Sequence, residues 1–345
     1  MNKSLKIITI PPQTITLVLT FRCTASCRNC CFGCNPKKTR VMTNAEIKKY
    51  ISSCVQSFPK SIKVLVITGG ECMIYPQKVK LALKLAKKYR LITRIVTNGF
   101  WANDFNRAKK ILNELKKYQL DEINFSTGDD HSKWIPLKNI RNAAIAAAEI
   151  GYKPIINVET HDLSSPKIIQ FFLNDSIFFD FVKNKKIILE RGAWMKFQQE
   201  CKITHSNCIP LERYDHCTNL FNIISINPYG EVLACCGLPS EQIPYLRLGH
   251  FDSEPIKDIY FKSFNDLLKL WLFIDGPAKI LKFIHEKQGE SFKYHSGHIC
   301  EFCRTLFSNP EYLNYLKNNY KSFIGDIIFK YSLYTNKIKN VNYEK

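Results

Sequence analysis

The strongest constraint on this chain is an alternation of two periodicities between residues 14 and 190. Short apolar runs at 14–20, 63–68, 92–97, 122–126, 154–160 and 186–190 read as strands. Between them the spacing turns helical. Thr43 and Glu46 form a capping box ahead of Ile47, Tyr50, Ile51, Cys54, Val55 and Phe58, which share one helical face. Residues 77–89 read as a second helix, and Phe105, Ala108, Ile111, Leu112 and Leu115 stripe a third that starts at Asn103. An Ala-rich segment at 137–150 ends at Gly151, and 165–174 is again helical. Six strand–helix units predict an α/β fold, a parallel sheet covered by helices, either open or curled into a partial barrel. In both forms ligands sit beyond the carboxyl ends of the strands, so residues directly after strands are the candidates for chemistry.

The pattern changes near residue 200. Runs at 221–227 and 231–235 flank Pro228-Tyr229-Gly230 and predict a β-hairpin, and mostly helical signal follows at 256–285 and 309–334. The expected organisation is an arm at 1–13, a barrel-like unit at 14–200, a cysteine-bearing unit at 201–310 and a basic helical tail at 311–345. No 18-residue uncharged apolar run is present, so no transmembrane helix is expected. Pro11, Pro12 and Gln13 interrupt the apolar start, which argues against a signal peptide and for a cytoplasmic protein.

In a reducing compartment, the 14 cysteines point to metal or catalysis rather than disulfides. Cys23, Cys27, Cys30, Cys31 and Cys34 form one group; Cys201, Cys208, Cys217, Cys235 and Cys236 a second; Cys300 and Cys303 a third. Cys54 and Cys72 stand apart, Cys54 on an apolar helix face. The formal charge of +20 is spread over lysine pairs on helices, which reads as solvated faces, with an acidic peptide or nucleic acid as the other partners that charge admits.

Cys23-x3-Cys27-x2-Cys30 follows the first strand directly. Three thiolates this close can wrap one corner of a four-iron cluster and leave one iron open. Paired C-x2-C units would suit structural zinc better. Gly69-Gly70-Glu71 follows the second strand, Thr97-Asn98-Gly99 ends the third, and Ser126 ends the fourth, ahead of Asp129, Asp130 and His131. With these segments in place, the chain resembles the radical S-adenosylmethionine (SAM) superfamily over residues 14–190. The resemblance implies a partial (βα)6 barrel like that of TIM, a [4Fe–4S] cluster on Cys23, Cys27 and Cys30, and SAM chelated at its open iron. It implies an external electron donor and reductive cleavage of SAM to a 5′-deoxyadenosyl radical that abstracts hydrogen from substrate. It also implies SAM contacts at Gly69, Gly70, Glu71, Asn98 and Ser126. Cys72 stands where the family often has proline. For Asp129, Asp130 and His131, turn and capping roles compete with a functional one.

Cys217, Cys235, Cys300 and Cys303 lie on the hairpin and on a distant C-x2-C pair, and four such thiols can enclose a second cluster. The segment from Cys217 through Gly230 to Cys235 resembles the start of the SPASM motif, and the shorter twitch form, with one auxiliary [4Fe–4S] cluster, is the better match. Zinc, with His216 or His298 as substitute ligand, is the competing reading, and Cys201 or Cys208 could replace a ligand. Cys236 follows Cys235 and, on an extended strand, points to the opposite face; it is a candidate hydrogen-atom donor or a small buried residue beside a ligand.

Enzymes of this resemblance mostly modify ribosomally made peptides, which makes a peptide with an acidic leader the expected substrate. Quenching of the substrate radical by a thiol gives epimerisation, attack by sulfur or carbon a crosslink, and electron loss to the second cluster a dehydrogenation. Epimerisation is the favoured outcome. Dehydrogenation of a small alcohol or sugar, and a zinc-dependent nucleic-acid-binding protein, are the alternatives. About a dozen residues precede the first strand, too few for a leader-binding domain there.

Overall fold

The computed structural model describes residues 7–161, 167–197, 216–292 and 296–343. Its frame is six parallel strands: β1 (Thr14–Val18), β2 (Val64–Thr68), β3 (Ile92–Thr97), β4 (Glu122–Gly128), β5 (Ile155–Thr160) and β6 (Ile188–Ala193). Helices α1 (Asn44–Ser57), α2 (Pro76–Lys88), α3 (Phe105–Lys117) and α4 (Leu137–Ile150) make the crossovers between the first five. The last crossover holds two helices, α5 (Lys167–Leu173) and α6 (Ser176–Lys183), where the sequence suggested one. Its α6 was missed because the run Ile177 to Phe181 lacks a clear polar face.

The helices form where their signals stand. Thr43 and Glu46 close the capping box that opens α1. Along α4, five buried alanines remove side-chain bulk and let the helix lie close to the sheet. Its C-cap, Gly151, sits at φ 96°, a left-handed conformation that glycine adopts without a Cβ clash. Asn139 and Asn142 of α4 donate to the carbonyls of Phe100 and Ala102, which ties the loop after β3 to the helix layer.

The second half joins the same sheet. β7 (Ile223–Ile226) pairs parallel with β1, and β8 (Glu231–Leu233) and β9 (Arg247–His250) continue antiparallel, giving nine strands in the order β6-β5-β4-β3-β2-β1-β7-β8-β9. The hairpin of 221–235 therefore supplies the first two strands of a three-strand extension. β9 was not legible, because four residues after a short 3-10 turn carry too little alternation. The helices α7 (Ile256–Lys262), α8 (Leu267–Lys287), α9 (Ile299–Ser308), α10 (Pro310–Asn319) and α11 (Ile324–Tyr343) pack on this extension and on one another. At Gly276-Pro277 the long α8 kinks, with Gly276 at φ 73°. No helix among the described residues is long and apolar enough to cross a membrane.

Candidate functional site

At the carboxyl ends of the parallel strands lies a cavity of about 640 Å³. Its inner wall is built from alternate strand residues, Thr14, Thr16 and Val18 of β1, Val64, Val66 and Thr68 of β2, Arg94 and Val96 of β3, Asn124 and Ser126 of β4, and Asn157 and Glu159 of β5. The loop after β1 closes the cavity from above and presents Cys23, Cys27, Cys30, Cys31 and Cys34 to it.

That loop is held from three sides. Gly70 and Glu71 donate backbone N–H groups to the carbonyls of Thr20 and Arg22, at 2.7 and 2.9 Å. A Cβ on Gly70 would stand 2.3 Å from the Arg22 oxygen, and one on Gly69 2.5 Å from that of Thr20. The two glycines are thus required by the approach of the cysteine loop itself. Asn29, buried, donates to the Met195 carbonyl and accepts from the Phe197 N–H, while the Trp194 ring N–H donates to the Asn29 carbonyl. From the other side, Gln242 donates to the Cys31 carbonyl and Arg40 to that of Pro228.

Within the loop, N–H groups aim at sulfur. Ala25 donates to Cys23 Sγ and Cys34 to Cys30 Sγ, each at 3.4 Å, and Asn98 Nδ2 stands 3.6 Å from Cys23 Sγ. Burial pushes the Cys23 thiol up to about 11 and raises that of Cys27 as well. Hydrogen bonds from Cys31 and Cys34 hold Cys30 far below the ordinary thiol range. Three buried or half-buried sulfurs, two of them supplied with N–H donors, fit the ligand set of an iron–sulfur cluster, whose thiolates accept such bonds.

Glu71 is fully buried, and its carboxylate takes three protein donors: the Met73 N–H, the Thr97 hydroxyl and the Asn98 N–H, at 2.7 to 2.9 Å. Burial raises its pKa to about 7 against those hydrogen bonds. Its observed role is a brace between the loops after β2 and β3. Ser126 lies half-buried on the cavity wall. Of the DDH segment, Asp129 makes turn contacts, accepting from the Thr160 hydroxyl and the His161 N–H. Asp130 and His131 do more. Asp130 pairs with His161 at 3.1 Å and with Lys133 at 2.9 Å, and His131 Nδ1 pairs with Glu159 at 2.8 Å. Burial alone would lower the His131 pKa, but the Glu159 carboxylate overrides it and lifts it to about 9. Sequence reasoning missed Glu159 and His161. Their signal was the phase of β5, whose odd-numbered residues face the cavity.

Cys235 and Cys236 lie beyond the end of β8 at Leu233, past a bend at Ala234, and not on an extended strand as the sequence suggested; Cys236 also stands near Cys217 and Cys300. Cys236 lines the cavity, beside the Thr16 hydroxyl. Cys235, one residue earlier, is buried among Cys217 and Cys303, and a Cβ on Gly237 would stand 3.2 Å from Cys300 Sγ and 3.5 Å from Cys235 Sγ. Cys217, Cys235, Cys300 and Cys303 are thus neighbours. Among the described residues no three His, Cys, Asp or Glu side chains close on a single ion, whereas the thiolates of a cubane stand farther apart, one on each iron. His298 caps α9, its Nδ1 accepting from the Cys300 N–H at 3.1 Å. His216 lies against the Tyr334 ring. Cys54 is a core residue, and the buried Cys72 thiol faces the Val96 carbonyl. Cys201 and Cys208 lie outside the described residues.

Residues 17–158, from β1 to β5 with the cysteine loop, match the radical SAM superfamily. That segment is a radical SAM domain. The chain is 25% identical over 313 residues to YydG of Bacillus subtilis (strain 168), a protein named for peptide biosynthesis, across 88% of this chain and 94% of that one. It is 24% identical over 297 residues to AlbA of the same strain, named for biosynthesis of the antilisterial bacteriocin subtilosin, across 75% of this chain and 61% of AlbA. Its fold matches the solved structure of anSMEcpe with bound AdoMet, with a TM-score of 0.51 and 11% identity over 89% of this chain and all of that one.

Proposed function

We propose that this radical SAM enzyme modifies a peptide, with Cys23, Cys27 and Cys30 holding a [4Fe–4S] cluster and Cys236 returning a hydrogen atom to the peptide radical. When bound, the cluster and SAM together supply a 5′-deoxyadenosyl radical that removes one hydrogen atom from the substrate. The residues of the chain do the rest. The cysteine loop and the backbone of Gly69 and Gly70 frame the SAM site, with Asn98 and Ser126 on its rim. The valine-rich wall of β1 to β3 keeps water from the reacting carbon. Cys236 then gives its S–H hydrogen to that carbon, leaving a sulfur radical. One electron from an external reductant and one proton restore the thiol. Delivery from the opposite side inverts the centre, so the favoured outcome is epimerisation.

The observation that carries the reading is that Cys236 lines the same cavity as Cys23, Cys27 and Cys30, whereas Cys235, buried among Cys217 and Cys303, does not. Names that assign YydG and AlbA to peptide biosynthesis favour a peptide over a sugar or alcohol. In the same reading Cys217, Cys235, Cys300 and Cys303 hold an auxiliary [4Fe–4S] cluster. The test is Cys236→Ala with the peptide encoded by a short neighbouring reading frame. The variant forms 5′-deoxyadenosine but no epimer, read by mass spectrometry with deuterium labelling. An unchanged yield of epimer would remove Cys236 from the mechanism.

A further inference from the structure

The loop after β1 has two faces, and only one belongs to the cavity. Cys23, Ala25, Cys27, Asn29 and Cys30 line the cavity, while Arg22 just before them and Ser26 and Arg28 among them are exposed and do not line it. Lys37 and Lys38, also exposed, follow on the same loop. Asn35 ties them to a ligand. Its carbonyl accepts from the N–H groups of Cys23 and Lys38, and its side chain from that of Lys37. Exposed Lys196 stands between Met195 and Phe197, the two residues bonded to Asn29. The loop contributes no carboxylate of its own beside Arg22, Lys37 and Lys38, since the first acidic residue of the chain is Glu46, and that side chain is paired with Arg40. The nearby Asp130 and Glu159 lie on the cavity side.

We infer that the outer face of the cysteine loop, Arg22, Arg28, Lys37, Lys38 and Lys196, is the docking surface for an acidic one-electron carrier protein. The inference rests on the reading of Cys23, Cys27 and Cys30 as cluster ligands. Each turnover needs an electron from outside, and electron transfer slows steeply with distance. The inner face of the loop is committed to the cavity, so a carrier protein approaches from the outer one. There it meets positive charge only one side chain away from the ligand sulfurs. Complementary charge of this kind raises encounter rates by about 10- to 1,000-fold at low ionic strength and fades as salt screens it. One electron leaves the carrier's reduced flavin or iron–sulfur group, which is oxidised by one equivalent, and reduces the cluster by one.

The experiment uses the full chain, reconstituted without oxygen, and reads bleaching of the cluster absorbance and the EPR signal of the reduced cluster. The probes are reduced flavodoxin, reduced ferredoxin and the small photoreductant deazaflavin. In Lys37→Glu/Lys38→Glu the rate constant for reduction by flavodoxin or ferredoxin falls about tenfold at low salt. It converges on the wild-type value at high salt, and the deazaflavin rate does not change. The same charge change at Lys87 and Lys88, in the last turn of α2 at the opposite end of the barrel, leaves all three rates unaltered. Equal slowing by that control pair, or no slowing by Lys37→Glu/Lys38→Glu, overturns the inference. So does an unchanged carrier rate with lost affinity for a fluorescent poly-glutamate decapeptide, which would give the surface to a peptide. A wild-type preparation that forms no cluster would instead refute the ligand reading on which the inference rests.

Discussion

At the scale of single residues, the site is an arrangement of buried polar groups whose partners come from neighbouring strands. His131 gives the clearest consequence. Its pKa rises from an ordinary 6.5 to about 9 because Glu159 faces it at 2.8 Å. A histidine raised in the folded state binds its proton more tightly there than in the unfolded chain. The pair's contribution to stability is therefore complete below pH 6.5 and is lost as pH climbs through about 9. His131→Gln removes this dependence. The thermal midpoint of the wild type falls between those pH values by more than that of the variant, as circular dichroism melts at a series of pH values would record. The sequence placed His131 after a strand but offered no partner for it. Glu159 and His161 sit 28 and 30 residues away, and only the pairing of β4 with β5 brings them back.

At the scale of elements, the decisive contact is between the loop after β1 and the loop after β2. Both leave the sheet side by side, because β1 and β2 pair in parallel register from Thr14 opposite Val64 to Val18 opposite Thr68. Their backbones then bond directly, through Gly70 to Thr20 and Glu71 to Arg22. Gly70→Ala forces a methyl group to within 2.3 Å of the Arg22 carbonyl oxygen, so one loop must shift. The expected result is impaired reconstitution, with less iron per chain and weaker SAM affinity, while circular dichroism keeps the helix content. Iron analysis and equilibrium dialysis measure both. By resemblance the GGE motif was expected to contact SAM. That its glycines admit the cysteine loop was not legible, since nothing local to residues 69–71 names Thr20 or Arg22.

At the scale of the whole molecule, one sheet carries two cysteine groups because β7 pairs with β1. This pairing sets Cys236 over the cavity and Cys235 among Cys217, Cys300 and Cys303. On the proposed auxiliary cluster, Cys303→Ser should halve the iron content, from about eight to about four per chain. It should also lower the thermal midpoint, because α9 loses a tie to the strand extension. The EPR signal assigned to Cys23, Cys27 and Cys30 should persist, and SAM cleavage with deazaflavin should continue. The sequence by itself determined the alternation of strands and helices, the helix caps and the spacing of Cys23, Cys27 and Cys30, because each depends on residues within a turn or a strand of one another. Tertiary structure decided the rest. The His131–Glu159 pair, the meeting of the Thr20 and Gly70 backbones, the pairing of β7 with β1 and the gathering of Cys217, Cys235, Cys300 and Cys303 join residues far apart in the chain. Such contacts are fixed by sheet register and by close packing, which no local pattern encodes.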